Sequence, residues 1–182
     1  IWANRIAAST SFGNQKLLYY MGGVDAWLIP KFNQETQVAE NENYSYQTLA
    51  TNMRGFHQNM RNGNSFFVVN TELRVPFFKY ILRRPITSDF IQHFQIVTFA
   101  DFGTAWNGAT PFSKQNQINY EIIENGPVTI TIDKQKNPFV GGFGFGARSR
   151  LFGYFIRADW AWGVEDGYVL PSILYISLGL DF

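Results

Sequence analysis

The sequence predicts an all-β fold, a part of a transmembrane β-barrel with about six antiparallel strands. Three observations carry that expectation. Residues 66–78, FFVVNTELRVPFF, set Phe67, Val69, Thr71, Leu73, Val75 and Phe77 on one parity and Asn70, Glu72 and Arg74 on the other. A period of two over a dozen residues marks an extended strand rather than a helix, and one longer than the roughly 5–6 residues usual in soluble sheets. Further segments repeat the pattern, and the connections between them alternate between long and short.

The elements follow in order, with strands expected near 2–12, 65–78, 91–106, 139–150, 153–163 and 172–182. The first sets Trp2, Ile6, Ala8 and Phe12 against Arg5, Ser9 and Ser11. The second is the segment above. The third sets Phe94, Ile96, Thr98, Ala100, Phe102 and Trp106 against His93, Gln95 and Asp101. In the fourth, Phe139, Phe143, Phe145 and Ala147 oppose glycines, Arg148 and Arg150. The fifth opposes Tyr154, Ile156, Ala158, Trp160 and Trp162 to Arg157 and Asp159. The last opposes Leu174, Ile176, Leu178, Leu180 and Phe182 to Tyr175, Ser177, Gly179 and Asp181. Long loops are expected over 13–64 and 107–137, a connection of about a dozen residues over 79–90, a tight turn at 151–153 and a medium loop at 164–171. No stretch has helical periodicity.

Composition narrows the function classes. The chain has 182 residues, a formal net charge of +1, 18% aromatic residues and no cysteine. That length is one domain or less. The near-neutral balance argues against nucleic-acid binding, and the lack of cysteine removes disulfides and thiolate metal sites. No apolar run is long enough for a membrane-spanning helix.

Alternation alone leaves open which face is wet: a soluble barrel buries its apolar rows, whereas a membrane barrel turns them to lipid. Strand length suits a hydrophobic band about 25 Å tall. Aromatics collect near strand ends (Phe77, Phe78, Trp106, Trp160, Trp162, Phe182), where interfacial girdles sit. The polar parity carries Glu72, Arg74, Asp101, Arg148, Arg150, Arg157 and Asp159, which a dry core could hold only at several kcal/mol each unless paired. Six strands fall short of the roughly eight needed to close a membrane barrel. An open edge in hydrocarbon leaves backbone groups unpaired, so further strands, from this protein or another chain, are expected.

Two motifs lie on this framework: Met53-Arg54-Gly55-Phe56 in the first long loop, and Phe99-Ala100-Asp101-Phe102-Gly103, an F-x-D-x-G, on the third strand. With NTELRVPF at 70–77 and the terminal ISLGLDF, the chain resembles the C-terminal barrel segment of the BamA-type superfamily. That superfamily includes outer-membrane insertases, TamA-type assembly factors and two-partner-secretion transporters. The resemblance runs from Arg5 to Phe182 and implies a barrel of about 16 strands when complete. It implies that the loop folds back into the lumen and that Arg54, with Gly55 and Phe56, pairs with Asp101, with Phe99 on the same inward face and Gly103 closing the motif. It also implies a C-terminal β-signal of Gly179, Leu180 and Phe182. Glu72, on the lumen parity of the preceding strand, is a candidate second acceptor. By spacing alone Arg54 reads as a solvated loop arginine, as most are; the four motifs in family order favour the latch. Met53 stands where the family usually has valine, and residues 30–46 form an extra polar excursion. The family's POTRA domains and about the first ten strands are not in this sequence.

The resemblance implies a non-enzymatic protein of the outer membrane, its C-terminus periplasmic, that assembles, inserts or translocates polypeptides. Its partners would be outer-membrane lipids, the remaining strands of the barrel, unfolded outer-membrane or exported polypeptides and periplasmic accessory proteins. A passive channel or surface-binding barrel, or a membrane anchor for an N-terminal domain, are the rival readings. No cofactor is expected. His57 and His93 lack a cysteine or a spaced carboxylate pair, so no metal site is expected either. Gly141–Gly146, GGFGFG, lacks the strand-to-helix context of a phosphate loop; its glycines suit curvature or close packing against an inserted loop. Arg157 and Asp159 suit either a lumen charge network or plain solvation.

Overall fold

The computed structural model describes residues 1–39, 42–82, 87–114, 116, 118–125, 128–134 and 136–180. The chain is mostly antiparallel β-sheet. The main sheet contains β1 (Trp2–Thr10), β5 (Ser65–Val75), β6 (Gln95–Trp106), β9 (Val140–Leu151) and β10 (Tyr154–Glu165), each antiparallel to the one before. Beyond β10, β12 (Ile173–Leu180) pairs with residues 154–161, and the short β11 (Tyr168–Val169) pairs with residues 164–165. Its boundary strands are β1 and β12.

The segment expected as a long loop over 13–64 contains a second sheet. β2 (Lys16–Met21) lies between β3 (Tyr44–Leu49), parallel to it, and β4 (Arg61–Gly63), antiparallel to it. This unit covers one face of the main sheet. Tyr19, Met21, Met53, Phe56 and Met60 pack with Phe66, Val68, Ala105 and Val140 in one buried cluster. A second cluster joins Val24 to Val97, Phe99, Ala161 and Tyr175. The other expected loop, 107–137, carries the hairpin of β7 (Tyr120–Asn125) and β8 (Val128–Asp133).

Strand ends differ from expectation for local reasons. The second strand stops at Val75 because Pro76 has no N–H to continue the ladder, and Phe77 and Phe78 start α1 (Phe77–Ile81). Residues 89–92, partly assigned to the third strand, form α2 (Asp89–Gln92), so β6 starts at Gln95. The connection expected without helix thus holds two short ones, too short to show a 3.6-residue period. Between β9 and β10 the turn residues Phe152 and Gly153 both have positive φ, 53° and 85°, as a two-residue type I′ hairpin requires.

The two parities of the main sheet have opposite environments. On β6, Val97, Phe99, Asp101 and Gly103 are buried under the first insertion, while Ile96, Thr98, Ala100 and Phe102 are exposed. Phe143, Phe145, Trp160, Leu174, Ile176 and Leu178 are also exposed, beside buried Asp159, Tyr175 and Ser177. The apolar rows therefore form an open face, and the polar rows the covered one.

Candidate functional site

Cross-strand register assembles the covered face in transverse rows. Asn70, Asp101, Gly142 and Gly163 lie side by side on β5, β6, β9 and β10. Two residues along each strand, the next row is Glu72, Phe99, Gly144 and Ala161. The row after that is Arg74, Val97, Gly146, Asp159 and, on β12, Tyr175. The side-chain period of two puts all three rows on the same face.

The tip of the first insertion, residues 53–56, lies across these rows. The Arg54 guanidinium grips Asp101 with two prongs: Nε donates to Oδ2 and Nη2 to Oδ1, each at 2.7 Å. The Arg54 backbone N–H adds a third bond to Oδ2 at 3.0 Å. Nη1 donates to Glu72 Oε1 at 2.7 Å, and the guanidinium carbon lies 3.6 Å from the centre of the Phe99 ring. This combination of fork, second acceptor and ring face suits arginine and not lysine. The Arg54 side chain is 4% exposed and that of Asp101 not at all. Burial alone would lower the Arg54 pKa, but Asp101, with Glu72 and Asp159, pushes it above its ordinary value, so the tip carries a permanent positive charge.

Other side chains complete the cluster. Asn70 Nδ2 donates to Asp101 Oδ1 at 2.8 Å and to the Asn52 carbonyl at 2.9 Å. Glu72 accepts from Arg148 at 2.6 and 2.9 Å and from Arg74 at 2.9 Å. Asp159 Oδ2 lies 3.9 Å from Arg54 Nη1, and Arg157 donates to the Asp25 carbonyl at 3.1 Å. Three carboxylates and several cations are thus interleaved where an unpaired charge would be costly.

Close approach of the tip depends on glycine. A Cβ on Gly142 would run into the Arg54 carbonyl oxygen, and one on Gly163 would come 2.5 Å from the Gly55 carbonyl oxygen. Gly55 has φ +95°, which L side chains rarely adopt, and its own Cβ would sit 2.5 Å from the Gly163 nitrogen. Phe56 is buried in the first apolar cluster. On the far side, Tyr175 Oη accepts from the Gly55 N–H at 3.0 Å and donates to the Phe56 carbonyl at 2.7 Å.

The structure therefore brings Arg54, Gly55, Phe56, Glu72, Phe99 and Asp101 together. Gly103 lies further along β6, paired with Val68 and Val140 and tight against Val68. Gly179 pairs with Phe155 on the boundary strand, about its own separate neighbourhood, and a Cβ there would meet nothing within 4 Å. Leu180 pairs with Tyr154 through the backbone; Phe182 lies outside the described residues. Met53 is fully buried in the apolar cluster, its N–H bonded to the Gly23 carbonyl. His57 stacks on Trp27 with ring centres 6.3 Å apart, whereas His93 pairs with Asp89 of α2 at 3.0 Å. No three metal-ligating side chains converge among the described residues.

Sequence reasoning did not single out Asn70 or Tyr175 as parts of the site. Both sit on the polar parity, which was the available signal; their bonds to the tip depend on register. Comparison with family models, curated proteins and solved structures finds no match.

Proposed function

We propose that this chain is the C-terminal segment of an outer-membrane β-barrel of the BamA type, acting in assembly, insertion or translocation of polypeptides, with the Arg54 tip latched to Asp101. The observation that carries this reading is the inversion of the main sheet: its apolar rows are exposed while its charged rows are buried under a folded-in loop. A continuous apolar face of this kind needs a cover, and lipid suits rows that alternate strictly with a polar face. In this reading further strands pair with β1 and β12, the long insertions lie at the external end, and the C-terminus is periplasmic.

The latch supplies rigidity rather than chemistry. It fastens the insertion to β5, β6 and, through Tyr175, to β12, so that the loop and the boundary strand share one anchor. The insertion also fills the space over the covered face, which favours an assembly or translocation role over an open channel.

Arg54→Ala and Asp101→Ala test the reading. Each leaves a buried partner unpaired, at a typical cost of about 3–5 kcal/mol. Both variants are expected to expose residues 50–60 to protease and to impair assembly of outer-membrane proteins while most strands persist. Full assembly activity with unchanged loop protection would refute the latch.

A further inference from the structure

Residues 27–36 of the first insertion span from the main sheet to the body of the insertion. At one end the Leu28 N–H donates to the Ile176 carbonyl of β12 at 2.9 Å. Further along, the Gln58 N–H donates to the Lys31 carbonyl at 2.9 Å and the Asn33 N–H to the Gln58 carbonyl at 2.7 Å. The Thr36 hydroxyl then donates to the Met60 carbonyl at 3.4 Å. Between this segment, the insertion tip and residues 165–176 lies a cavity of about 770 Å³, within the roughly 300–1,000 Å³ of small-molecule sites.

Most of the cavity wall is apolar. Buried Phe56 and Met60 form part of it, as does Trp27, whose ring packs on Tyr175 with centres 4.7 Å apart. Leu174 and Ile176 also line it and belong to the open apolar rows, so the cavity is continuous with that face. Its ionisable groups are few. Glu165 is already paired with Arg61 at 2.8 Å. Burial, with the Lys31 charge, lowers the pKa of His57, so that ring stays neutral. Lys31 and Glu35 remain, and neither side chain has a hydrogen bond or ion pair among the described residues.

We propose that this cavity binds a single-chain zwitterionic amphiphile, a lysophospholipid with an ethanolamine headgroup. Its phosphate meets Lys31 and its ammonium Glu35, while the acyl chain lies along Trp27, Phe56 and Met60 toward Leu174 and Ile176. The charge pattern selects this class. A purely anionic amphiphile would set its phosphate beside Glu35 as well as Lys31, and a neutral one would leave both charges without a partner. A headgroup with no chain would leave the apolar wall uncovered. The proposal concerns the cavity alone and does not depend on assembly activity.

Native mass spectrometry of the chain in a neutral detergent, titrated with lysophosphatidylethanolamine, tests the proposal by resolving each bound molecule. The first is expected to bind at least about tenfold more tightly than later ones, which take the open apolar face. Lys31→Gln is expected to weaken that first site about three- to fivefold, the effect of losing a solvent-accessible ion pair, and to do so equally for lysophosphatidylglycerol. Glu35→Gln should weaken the ethanolamine lipid by a similar factor and tighten binding of the glycerol lipid. Lys79→Gln, on α1 and outside the cavity lining, should change neither. Free phosphoethanolamine, which has the headgroup without the chain, should not bind at the same concentrations. Equal affinity for every bound lipid would overturn the proposal, as would Lys31→Gln or Glu35→Gln variants that bind as the unaltered chain does. Binding of free phosphoethanolamine as tight as that of the lipid would overturn it too. None of these readouts uses assembly activity, so a failure here is separate from a failure of the proposed function.

Discussion

Gly55 of the loop tip rests directly on Gly163 of β10, each at a distance where a Cβ on either would come 2.5 Å from the other's backbone. The latch is therefore as much a matter of missing side chains as of charge. The fork between Arg54 and Asp101 closes only if the tip backbone can descend to the sheet, and the row Asn70, Asp101, Gly142, Gly163 combines two polar partners with two flat positions.

Gly163→Ala is accordingly expected to lift the tip, with an overpacking cost of about 1–3 kcal/mol. Gly141→Ala is the control, because a Cβ there would meet its nearest neighbours at 3.8–4.0 Å. Limited proteolysis of residues 50–60 reads the outcome: faster cleavage is expected in the first variant and an unchanged rate in the second.

Lysine should not replace Arg54. Arg54→Lys keeps one positive charge but cannot reach both Asp101 oxygens, Glu72 and the Phe99 face together. The variant is expected to fall close to Arg54→Ala in denaturant resistance. Recovery of most of the lost stability by lysine would mean that charge alone matters.

Tyr175→Phe removes one hydroxyl and leaves the ring under Trp27. The Gly55 N–H then loses its buried partner, at a cost of about 1–3 kcal/mol, while the Phe56 carbonyl keeps its bond from the Gly23 N–H at 3.0 Å. Amide exchange at Gly55 is expected to accelerate, while the β10–β12 ladder, formed by the backbone, keeps its protection.

Acid should loosen the region around His57. Burial, with the charge of Lys31, pushes its pKa below the ordinary value, and its Nδ1 is buried with no partner among the described residues. The unfolded chain takes up the proton first, so this contribution to stability is fully present above pH of about 6.5 and is lost as pH falls below it. His57→Gln is expected to flatten the decline in melting temperature between about pH 7 and pH 5. An identical decline in the variant would assign the acid sensitivity to other groups.

Much of the site could be read from the residues because strand parity is a strong constraint. Asp101 and Glu72 had to share a face with Asn70, Arg148 and Asp159 once the period of two was recognised. The positions of the glycines in GGFGFG likewise suited a close neighbour. Parity does not disclose register, however, and register is what sets Gly163 beside Gly142 and puts Tyr175 within reach of Gly55. The sheet of β2, β3 and β4 was not legible either. Its strands are three to six residues long, and one pair is parallel across a wide sequence gap, so the pattern within any one of them is too short to read. The helices α1 and α2 are shorter than the span over which an amphipathic stripe becomes visible.

The most direct test of the central claim is what wets the open face of the main sheet. Single cysteines at Phe145, Leu174 and Leu178 on that face, and at Ser177 on the covered face, can carry a fluorophore in a chain otherwise free of cysteine. In protein reconstituted into phospholipid vesicles, lipid-chain quenchers are expected to quench the labels at 145, 174 and 178 strongly and the label at 177 weakly. Strong quenching of the labels at 145, 174 and 178 by an aqueous quencher, with little from the lipid chains, would contradict the account.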